Sequence, residues 1–366
     1  MEVKITKKDL SVLLGKVVNI LNPKPTIPVL SHILMETGKN KITVTGTDLE
    51  ISIKLNKEIE TIKEGKVLIP GRKLLEVIRE FPEVEIKLKS EKESHLNLSS
   101  GRINLTLVGL KTDDFPLIPK IKNLNQFKIN AATLKKCINY TKTTVVIDEN
   151  KPNLSGIFFT TEDGWLTTVS TDTRRLARYR SKTNLTASVK FILPLKATDE
   201  IKNLWEEEKE IEVSLGSNQV IFSGEGITLT SQIIEGNFPD YTTIIPPESE
   251  LLPVIVPLAS FISALRRMKQ IVSAGKNMVK MDVGKNLLKI SGETAGIGEG
   301  SEEVEVAYQG PPKTFYFNPD YLIDGVKNIE NEEEFFFGLN PNTEKPCLLK
   351  STKQADYIYL AMPMWP

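Results

Sequence analysis

The chain has 366 residues, of which 40% are apolar, and its 47 Lys and Arg balance its 47 Asp and Glu. This length predicts two or three domains, and the zero net charge argues against a simple basic nucleic-acid binder. No apolar run approaches the roughly 18 residues of a membrane span, and the N-terminus has no apolar signal core, so we expect a cytosolic protein. With only Cys137, Cys347, His32 and His95 available, neither a disulfide framework nor a structural zinc site is expected.

Three amphipathic helices are predicted, because apolar residues recur at the spacing of one helix face. The three stripes are Leu10, Leu13, Leu14, Val17 and Leu21; Leu134, Cys137, Ile138, Thr141 and Val145; and Phe261, Leu265, Met268 and Val272. Cys137 therefore belongs to a core rather than to a nucleophilic site. Basic residues lie off each stripe, and residues 127–147 and 254–281 contain no acid at all.

One plan occurs three times along the chain. Thr47-Asp48 recurs as Thr171-Asp172, 124 residues later, and Pro70, Pro194 and Asn318 are spaced by the same 124 residues. Repetition at a fixed period outweighs local assignments. Each copy reads helix, strands, helix, strands, so we predict an α+β fold of three tandem domains, each with two helices packed on antiparallel sheets. The predicted domains are residues 1–125, 126–251 and 252–366.

Two Pro-rich segments, residues 115–125 and 246–253, are predicted to be extended joints between the domains. Three similar domains that each offer a basic helix face suggest a curved array. Such an arc is incomplete alone, and two arcs related by a two-fold axis would close a ring.

The segment 165–180 combines a strand, a turn at Ser170-Thr171-Asp172 and a following group of arginines. A basic, partly apolar segment at a strand end can form a contact surface. The alternative is an ordinary turn with a solvated arginine cluster.

Motifs spread over the whole chain resemble those of the bacterial DNA polymerase III β subunit family, the sliding clamps. The motifs are PTIPVLS from Pro25, TGTDLE from Thr45, SGR from Ser100, DFP from Asp114, STDTRRLA from Ser170, EGNFPDY from Glu235, FNPDYL from Phe317 and MPM from Met362. The resemblance implies a head-to-tail homodimeric ring around duplex DNA that tethers the replicative polymerase and has no catalytic chemistry or cofactor. It also implies a bacterial cytoplasmic protein on the nucleoid, without a membrane partner.

The resemblance further implies basic residues that face DNA and bind it without reading its sequence. They are Lys8, Lys16, Lys24, Arg72, Lys73, Lys135, Lys136, Lys142, Lys151, Lys196, Arg266, Arg267 and Lys269. For each of them an ordinary solvated surface position remains the alternative. The sequence Lys151-Pro152-Asn153 departs from the basic and aromatic residues that many relatives have there.

A pocket for a short linear peptide is implied between the second and third domains, for the DNA polymerase III α subunit, the clamp loader and other proteins with a clamp-binding motif. Its residues are Leu154, Thr171, Thr173, Arg174, Arg175, Leu176, Pro239, Ile244, Asn318, Tyr321, Leu360, Met362, Pro363 and Met364. Methionine suits a groove that accepts several ligands. Thr173-Arg174, Thr243 and Trp365-Pro366 depart from common family residues. A buried terminal strand is the alternative interpretation.

The implied dimer contact joins Leu105 and Leu107 of the first domain to Ile271 and Val272 of the third. Ordinary core positions are the alternative for these residues. Two other functions are weighed. An enzyme would need a motif such as a phosphate loop, but Gly292–Gly300 lacks the following helix and the Lys-Ser/Thr, so a flexible hairpin loop is predicted. A monomeric tandem-repeat binding protein is the second alternative, and its mass in solution distinguishes it from a dimer.

Overall fold

The computed structural model of the chain describes residues 1–82, 85–118, 125–183, 188–329, 332–353 and 356–366. Within these residues each third of the chain contains two α-helices, as predicted. They are α1 (Lys7–Val18), α2 (Gly71–Arg79), α3 (Ala131–Thr141), α4 (Leu195–Leu204), α5 (Leu258–Val272) and α6 (Pro319–Val326). Helices α2, α4 and α6 begin directly after the three residues spaced by 124 positions.

Antiparallel strands make up most of the remaining regular structure. In the first third they are β1 (Glu2–Thr6), β2 (His32–Gly38), β3 (Lys41–Thr47), β4 (Ile51–Glu58), β5 (Thr61–Lys63), β6 (Gly65–Pro70), β7 (Glu85–Lys89), β8 (His95–Ser100) and β9 (Ile103–Val108). In the middle third they are β10 (Asn125–Asn130), β11 (Gly156–Glu162), β12 (Trp165–Thr171), β13 (Arg175–Lys182), β14 (Lys190–Pro194), β15 (Glu210–Leu215), β16 (Gln219–Gly224) and β17 (Ile227–Gln232). In the last third they are β18 (Leu252–Pro257), β19 (Val279–Gly284), β20 (Leu287–Thr294), β21 (Gly298–Glu305), β22 (Lys313–Phe317), β23 (Glu334–Leu339), β24 (Cys347–Ser351) and β25 (Tyr357–Ala361). Short 3-10 helices cover Pro28–Ser31, Thr112–Asp114, Lys142–Thr144, Pro152–Leu154, Thr242–Ile244 and Glu248–Glu250.

The chain forms two compact units, residues 1–135 with 196–233, and residues 136–195 with 234–366. The first unit holds an eight-stranded sheet in the order β10-β15-β16-β17-β4-β3-β2-β6 and a five-stranded sheet in the order β5-β1-β7-β8-β9. The second holds an eight-stranded sheet in the order β14-β11-β12-β13-β25-β24-β23-β18 and a four-stranded sheet in the order β21-β20-β19-β22. Neighbouring thirds share each large sheet, because β17 pairs with β4 and β13 with β25.

The predicted apolar stripes form the core beneath the helices. Every residue of the first and third stripes is buried. A Cβ on Gly46 of β3 would lie 2.6 Å from Val17 Cγ1, so glycine allows α1 to approach its sheet closely. Cys137 is fully buried, and burial raises the pKa of its thiol to about 12, which confirms its assignment to the core.

Three details of the predicted elements are corrected by the structure. Helix α3 ends at Thr141, so Val145 lies beyond it and is only half-buried. The second Pro-rich joint ends earlier than expected, because Pro253 lies in β18, an edge strand where its missing N–H breaks no ladder. Most of Gly292–Gly300 is strand: Gly292 pairs with Gly300, and only residues 295–297 form the hairpin turn. Of the first joint, residues 119–124 lie outside the described residues.

Glu200 in α4 is expected to lower the stability of the fold at neutral pH. It is only 8% exposed, and within the described residues its Oε2 has no hydrogen-bond partner. Burial raises the pKa of this carboxyl, and the charge of Asp199 adds to the rise. Since the folded state then binds this proton more tightly than the unfolded state, the free energy of unfolding falls as pH rises from the ordinary carboxyl range towards neutrality.

Glu200→Gln should therefore raise the free energy of unfolding at pH 7 by roughly 1 kcal/mol and flatten its fall between about pH 5 and 7. Urea unfolding at both pH values measures this. Glu207→Gln, on an exposed side chain just beyond α4, is the matched control and should change little. Equal effects of the two substitutions would contradict the assignment.

Candidate functional site

The turn between β12 and β13 is built around the Asp172 carboxylate. Its Oδ1 accepts hydrogen bonds from the backbone N–H groups of Arg174 and Arg175, both at 2.9 Å. Thr171 Oγ1 donates to the Arg175 carbonyl at 2.7 Å and accepts from the Thr173 N–H at 3.1 Å. Thr173 has φ +76°, a left-handed conformation that is rare for a β-branched residue. The network thus holds the exposed Thr173 and Arg174 in a fixed conformation at the end of the sheet.

The same turn occurs 124 residues earlier. Asp48 Oδ1 accepts from the N–H groups of Glu50 and Ile51 at 3.0 and 2.7 Å. Thr47 Oγ1 donates to the Ile51 carbonyl at 2.8 Å, and Leu49 has φ +81°. The repeat inferred from Thr-Asp is therefore also a repeat of hydrogen bonding.

Arg175 links this turn to α6. Its Nε donates to Asp172 Oδ2 at 2.9 Å and its Nη1 to Asp324 Oδ2 at 2.6 Å, while Cζ lies 4.4 Å from the centre of the Tyr321 ring. Burial opposes the charged form, but Tyr359 and the two carboxylates together raise the pKa of Arg175. The alternative of a solvated arginine cluster is therefore wrong for Arg175, which is half-buried and paired with two carboxylates. Asp324 was missed, because it lies 149 residues away and no local pattern points to it.

The C-terminal segment leaves β25 and lies along the same turn. The Met362 N–H donates to the Arg174 carbonyl at 2.8 Å, and the Met364 N–H donates to the Tyr316 carbonyl at 2.7 Å. Pro363 between them has no N–H to donate. Met362, Pro363 and Met364 are half-buried, so backbone bonds fix the segment while its side chains stay partly accessible.

An apolar cluster, here called the apolar floor, lies beside this segment. Its buried members are Phe158, Val169, Leu176, Ile192, Leu251, Leu348, Ile358 and Leu360. Phe238, Tyr241 and Ile245, from the segment between β17 and β18, pack against it. The segment between β17 and β18 thus partly covers the apolar floor. This segment also contains two predicted pocket residues, Pro239 and Ile244, which are both exposed.

The predicted pocket residues differ in their accessibility. Thr173, Arg174, Pro239 and Ile244 are exposed, whereas Arg175, Asn318, Tyr321, Met362, Pro363 and Met364 are half-buried. Leu154, Thr171, Leu176 and Leu360 are less than 9% exposed. Their place in a pocket stays a prediction.

Two further contacts hold the rim of this region. Asn153, next to Leu154, donates from Nδ2 to the Asn237 carbonyl at 2.8 Å. Asn318 is the N-cap of α6, and its Oδ1 accepts from the Asp320 N–H at 2.9 Å. The residues assigned to the pocket therefore come from one connected part of the second unit.

The thirteen basic residues predicted to face DNA lie on five of the six α-helices described, in the 3-10 helix at Lys142–Thr144 and in loops. Those that are exposed are Lys8, Lys24, Arg72, Lys73, Lys136, Lys151, Lys196, Arg266 and Arg267, and those that are half-buried are Lys16, Lys135, Lys142 and Lys269. In the described part, carboxylates of the chain itself pair with at least four of them. The pairs are Lys73–Glu76, Lys196–Asp48, Arg267–Glu302 and Lys269–Asp320.

Two of the thirteen residues bind helix ends, which the sequence did not indicate. Lys16 Nζ donates to the Leu204 carbonyl, at the end of α4, at 2.8 Å. Arg72 Nη2 donates to the Leu21 carbonyl, just beyond α1, at 2.9 Å. Cations near helix C-termini are favourable, so both side chains have a structural role whether or not they meet DNA.

The predicted dimer residues lie at two sheet edges. Leu105, 44% exposed, and the half-buried Leu107 lie on β9, at the edge of the five-stranded sheet. Ile271 lies beside β21, the edge of the four-stranded sheet, since its Cδ1 is 2.7 Å from where a Cβ on Gly300 would be. Val272 is only 1% exposed beneath Gly292, so its placement in a surface patch is corrected to the core of the third domain.

Among the residues that the structure describes, no group of three His, Cys, Asp or Glu side chains is arranged to hold a metal ion. Of the helices described, none has the length and apolar character needed to cross a bilayer.

Comparison with known proteins matches three family models in order along the chain. They are the DNA polymerase III beta subunit N-terminal domain over residues 1–119, the central domain over 128–240 and the C-terminal domain over 242–365. A beta sliding clamp of Staphylococcus epidermidis is 29% identical and covers 96% of each chain, and one of Staphylococcus aureus is 28% identical and covers 100% of this chain and 99% of its own.

Solved structures agree with these matches. A DNA polymerase sliding clamp from Pseudomonas aeruginosa has a TM-score of 0.94 at 26% identity and covers 100% of both chains. A DNA polymerase III beta subunit from Thermotoga maritima has a TM-score of 0.91 at 25% identity, with 100% and 99% coverage. With models of all three domains matched in order and likeness along the full length, the chain belongs to the DNA polymerase III beta subunit family.

Proposed function

We propose that this protein is a DNA sliding clamp, a non-catalytic processivity subunit that encircles duplex DNA and tethers the replicative polymerase in the bacterial cytoplasm. The observation that carries this proposal is the ordered match of the N-terminal, central and C-terminal clamp domains along the chain. We place the domain boundaries at residues 1–125, 126–251 and 252–366. The decisive test is whether the loaded protein stays on a closed DNA circle at high salt and leaves once the circle is cut.

The ring is proposed to close by pairing β9 of one copy with β21 of another, head to tail. Both are edge strands that can accept a further strand. Their flanking charges support this pairing: Arg102 and Lys111 border β9, whereas Glu299, Glu303 and Glu305 lie on β21. Leu105 and Ile271 supply apolar side chains to the same contact.

Binding of DNA is proposed to be weak and independent of base sequence. Lys8, Lys136 and Arg266 are exposed on three different helices and are the strongest candidates to face phosphates. Several other basic residues are partly neutralised by carboxylates or bind helix ends. Weak phosphate contacts suit a protein that must slide, because tight contacts would hold it in place.

Partner proteins are proposed to dock a short peptide against Met362, Met364, Pro239 and Ile244, above the apolar floor. The partners would be the polymerase α subunit, the clamp loader and other proteins with a clamp-binding motif. Support comes from the fixed C-terminal backbone, whose side chains remain partly accessible beside an apolar cluster.

Replacing Met362 and Met364 together by Ala should weaken binding of a peptide from the polymerase α-subunit tail by about 2 kcal/mol, or roughly thirtyfold in Kd. The backbone hydrogen bonds of both residues survive the change, so the fold should be kept. Fluorescence anisotropy with a labelled peptide measures the effect. Ile297→Ala, at an exposed apolar residue of the β20–β21 hairpin, is the control. An unchanged Kd in the double variant would mean that the pocket lies elsewhere.

A further inference from the structure

The sheet face that carries the apolar floor also carries two arginines. Alternate residues of a strand share a face, so Leu176, Arg178 and Arg180 of β13 point the same way. The register agrees, because Leu176 lies opposite Leu360 and Arg178 lies opposite Ile358 on β25. Both partners are members of the apolar floor. The two arginines therefore continue the floor along β13, away from the turn at Asp172.

Neither guanidinium is paired with a carboxylate within the described residues. Arg178 is half-buried, and its Nε is buried without a hydrogen-bond partner. Burial and the neighbouring charge of Arg180 lower the pKa of Arg178, although Tyr241 and Asp356 oppose this. A buried donor without an acceptor is unfavourable. A carboxylate bound at the accessible terminal nitrogens of the same guanidinium would stabilise its charge.

Arg175, at the start of the same strand, is an arginine whose charge is compensated within the chain. It has two carboxylate partners, Asp172 and Asp324, and an aromatic neighbour. The chain supplies acids to Arg175 but leaves the next two arginines of the strand without an ion pair in its described part. The difference points to an acid that another molecule supplies.

Aromatic side chains border the arginine pair. Arg180 Cζ lies 4.5 Å from the centre of the Trp165 ring, and Tyr241 packs against the floor from above. Stacking on a ring leaves the edge of a guanidinium free to donate, and its planar fork matches a carboxylate. Of the nearby acids, Asp356 acts on Arg178 through its charge but forms no ion pair with it in the described part of the chain. Asp240 is engaged by the Thr242 N–H and hydroxyl, and Glu162 is exposed at the end of β11.

We propose that Arg178 and Arg180 bind carboxylates of the same partner peptide whose apolar side chains occupy the pocket at Met362 and Met364. The inference rests on the proposed function and adds the partner's chemistry: peptides that dock on this clamp carry acidic residues beside their apolar anchors. Arg178 and Arg180 lie two and four residues from Leu176, which is about 7 and 13 Å along a strand. An extended peptide has the same rise, so its acids lie about two and four residues from the anchor above Leu176.

A peptide explains the site better than a nucleic acid does. The arginines are continuous with an apolar floor, which phosphates would not use. Single-stranded DNA binding relies on aromatic faces open for base stacking, whereas the Trp165 ring already carries Arg180.

The test compares two synthetic peptides that share the same Leu and Phe anchors. One peptide has glutamates two and four residues before and after the anchors, and the other has glutamines at the same positions. At low salt the Glu peptide should bind the wild-type protein about tenfold more tightly than the Gln peptide. Arg178→Met should remove most of this difference and leave the Gln peptide unaffected. Lys182→Met, an exposed cation farther along the same strand, is the matched control and should change either Kd less than twofold.

The outcomes separate this inference from the pocket itself. Equal affinity of the two peptides, with both lost in the Met362→Ala, Met364→Ala variant, would overturn the arginine assignment and leave the pocket intact. A preference for Glu that depends on Arg178 but not on the methionines would support the arginine site and overturn the pocket. A ten-residue oligothymidine could also compete with the peptides for binding. If this competition depends on Arg178 and the protein shows no preference for the Glu peptide, the site binds DNA and the peptide assignment is overturned.

Discussion

On a DNA circle without ends, the loaded protein is expected to remain bound in about 1 M NaCl, where the Debye length is only about 3 Å. After a single double-strand cut, nearly all of it should leave. Contacts with six to ten phosphates lose roughly 10³–10⁵ in affinity between 50 and 200 mM salt, so contacts alone cannot hold the protein under these conditions. Encirclement can, because release then requires an end or an open ring.

The charges of this chain should make the difference in retention between circular and cut DNA large. Arg267 is bound by both oxygens of Glu302, at 2.8 and 2.5 Å, and Lys196 is paired with Asp48. Such internal pairs lower the charge available to phosphates. Contact binding to linear DNA should therefore be weak even at moderate salt, and retention on a circle must come from topology.

The measurement is gel filtration of protein loaded on nicked plasmid by the clamp loader of the same cell. The protein that co-elutes with DNA is quantified before and after cleavage by a restriction enzyme. Bulky protein blocks on both ends of the linear product are the control and should restore retention. Loss from intact circles on addition of salt alone would mean that the protein holds DNA by contact.

Local patterns in the sequence were enough to predict the repeated architecture. The starts of α2, α4 and α6 follow Pro70, Pro194 and Asn318, and the Thr-Asp turns at Asp48 and Asp172 have matching hydrogen bonds. These features depend on residues close in sequence, where caps, turns and helix stripes are encoded.

Features that depend on distant residues could not be predicted. Periodicity shows that β17 and β4 are strands, but it does not show that Thr230 lies opposite Ser52. That pairing joins strands of the first and the middle third of the chain in one sheet. The pairing of Arg175 with Asp324 likewise needs the folded sheet. Val272 shows a conflict between two arguments: the helix stripe placed it in the core, the family resemblance placed it in a dimer contact, and its 1% exposure agrees with the stripe.

Leu105→Asp and Ile271→Asp should each convert the protein to a monomer of 41.0 kDa at micromolar concentration. A charge placed in an apolar contact without a partner costs about 3 kcal/mol or more, a factor of at least roughly a hundred in Kd. In a head-to-tail ring of two copies each substitution occurs in both contacts, so the penalty is doubled. Val272 is unsuitable for this test, because a charge there would disrupt the buried core of the third domain.

Sedimentation of the wild-type protein and each variant gives the masses, and Ile147→Asp, at a residue 74% exposed outside β9 and β21, is the control that should remain a dimer. A wild-type protein that sediments as a monomer would favour the tandem-repeat binding protein instead of a ring.

Mixing the two variants tests the direction of the contact. If β9 of one copy meets β21 of the other, a pair of Leu105→Asp and Ile271→Asp chains has one contact with both changes and one contact with neither. The mixture should then regain dimer mass through the unchanged contact, yet fail to stay on closed DNA circles because the other contact is open. A contact of β9 with β9 would leave Ile271→Asp a dimer on its own, because its β9 is unchanged, so the two variants would already differ in mass before they are mixed. Recovery of mass without retention therefore identifies a head-to-tail ring and shows that both contacts are needed to keep the ring on DNA.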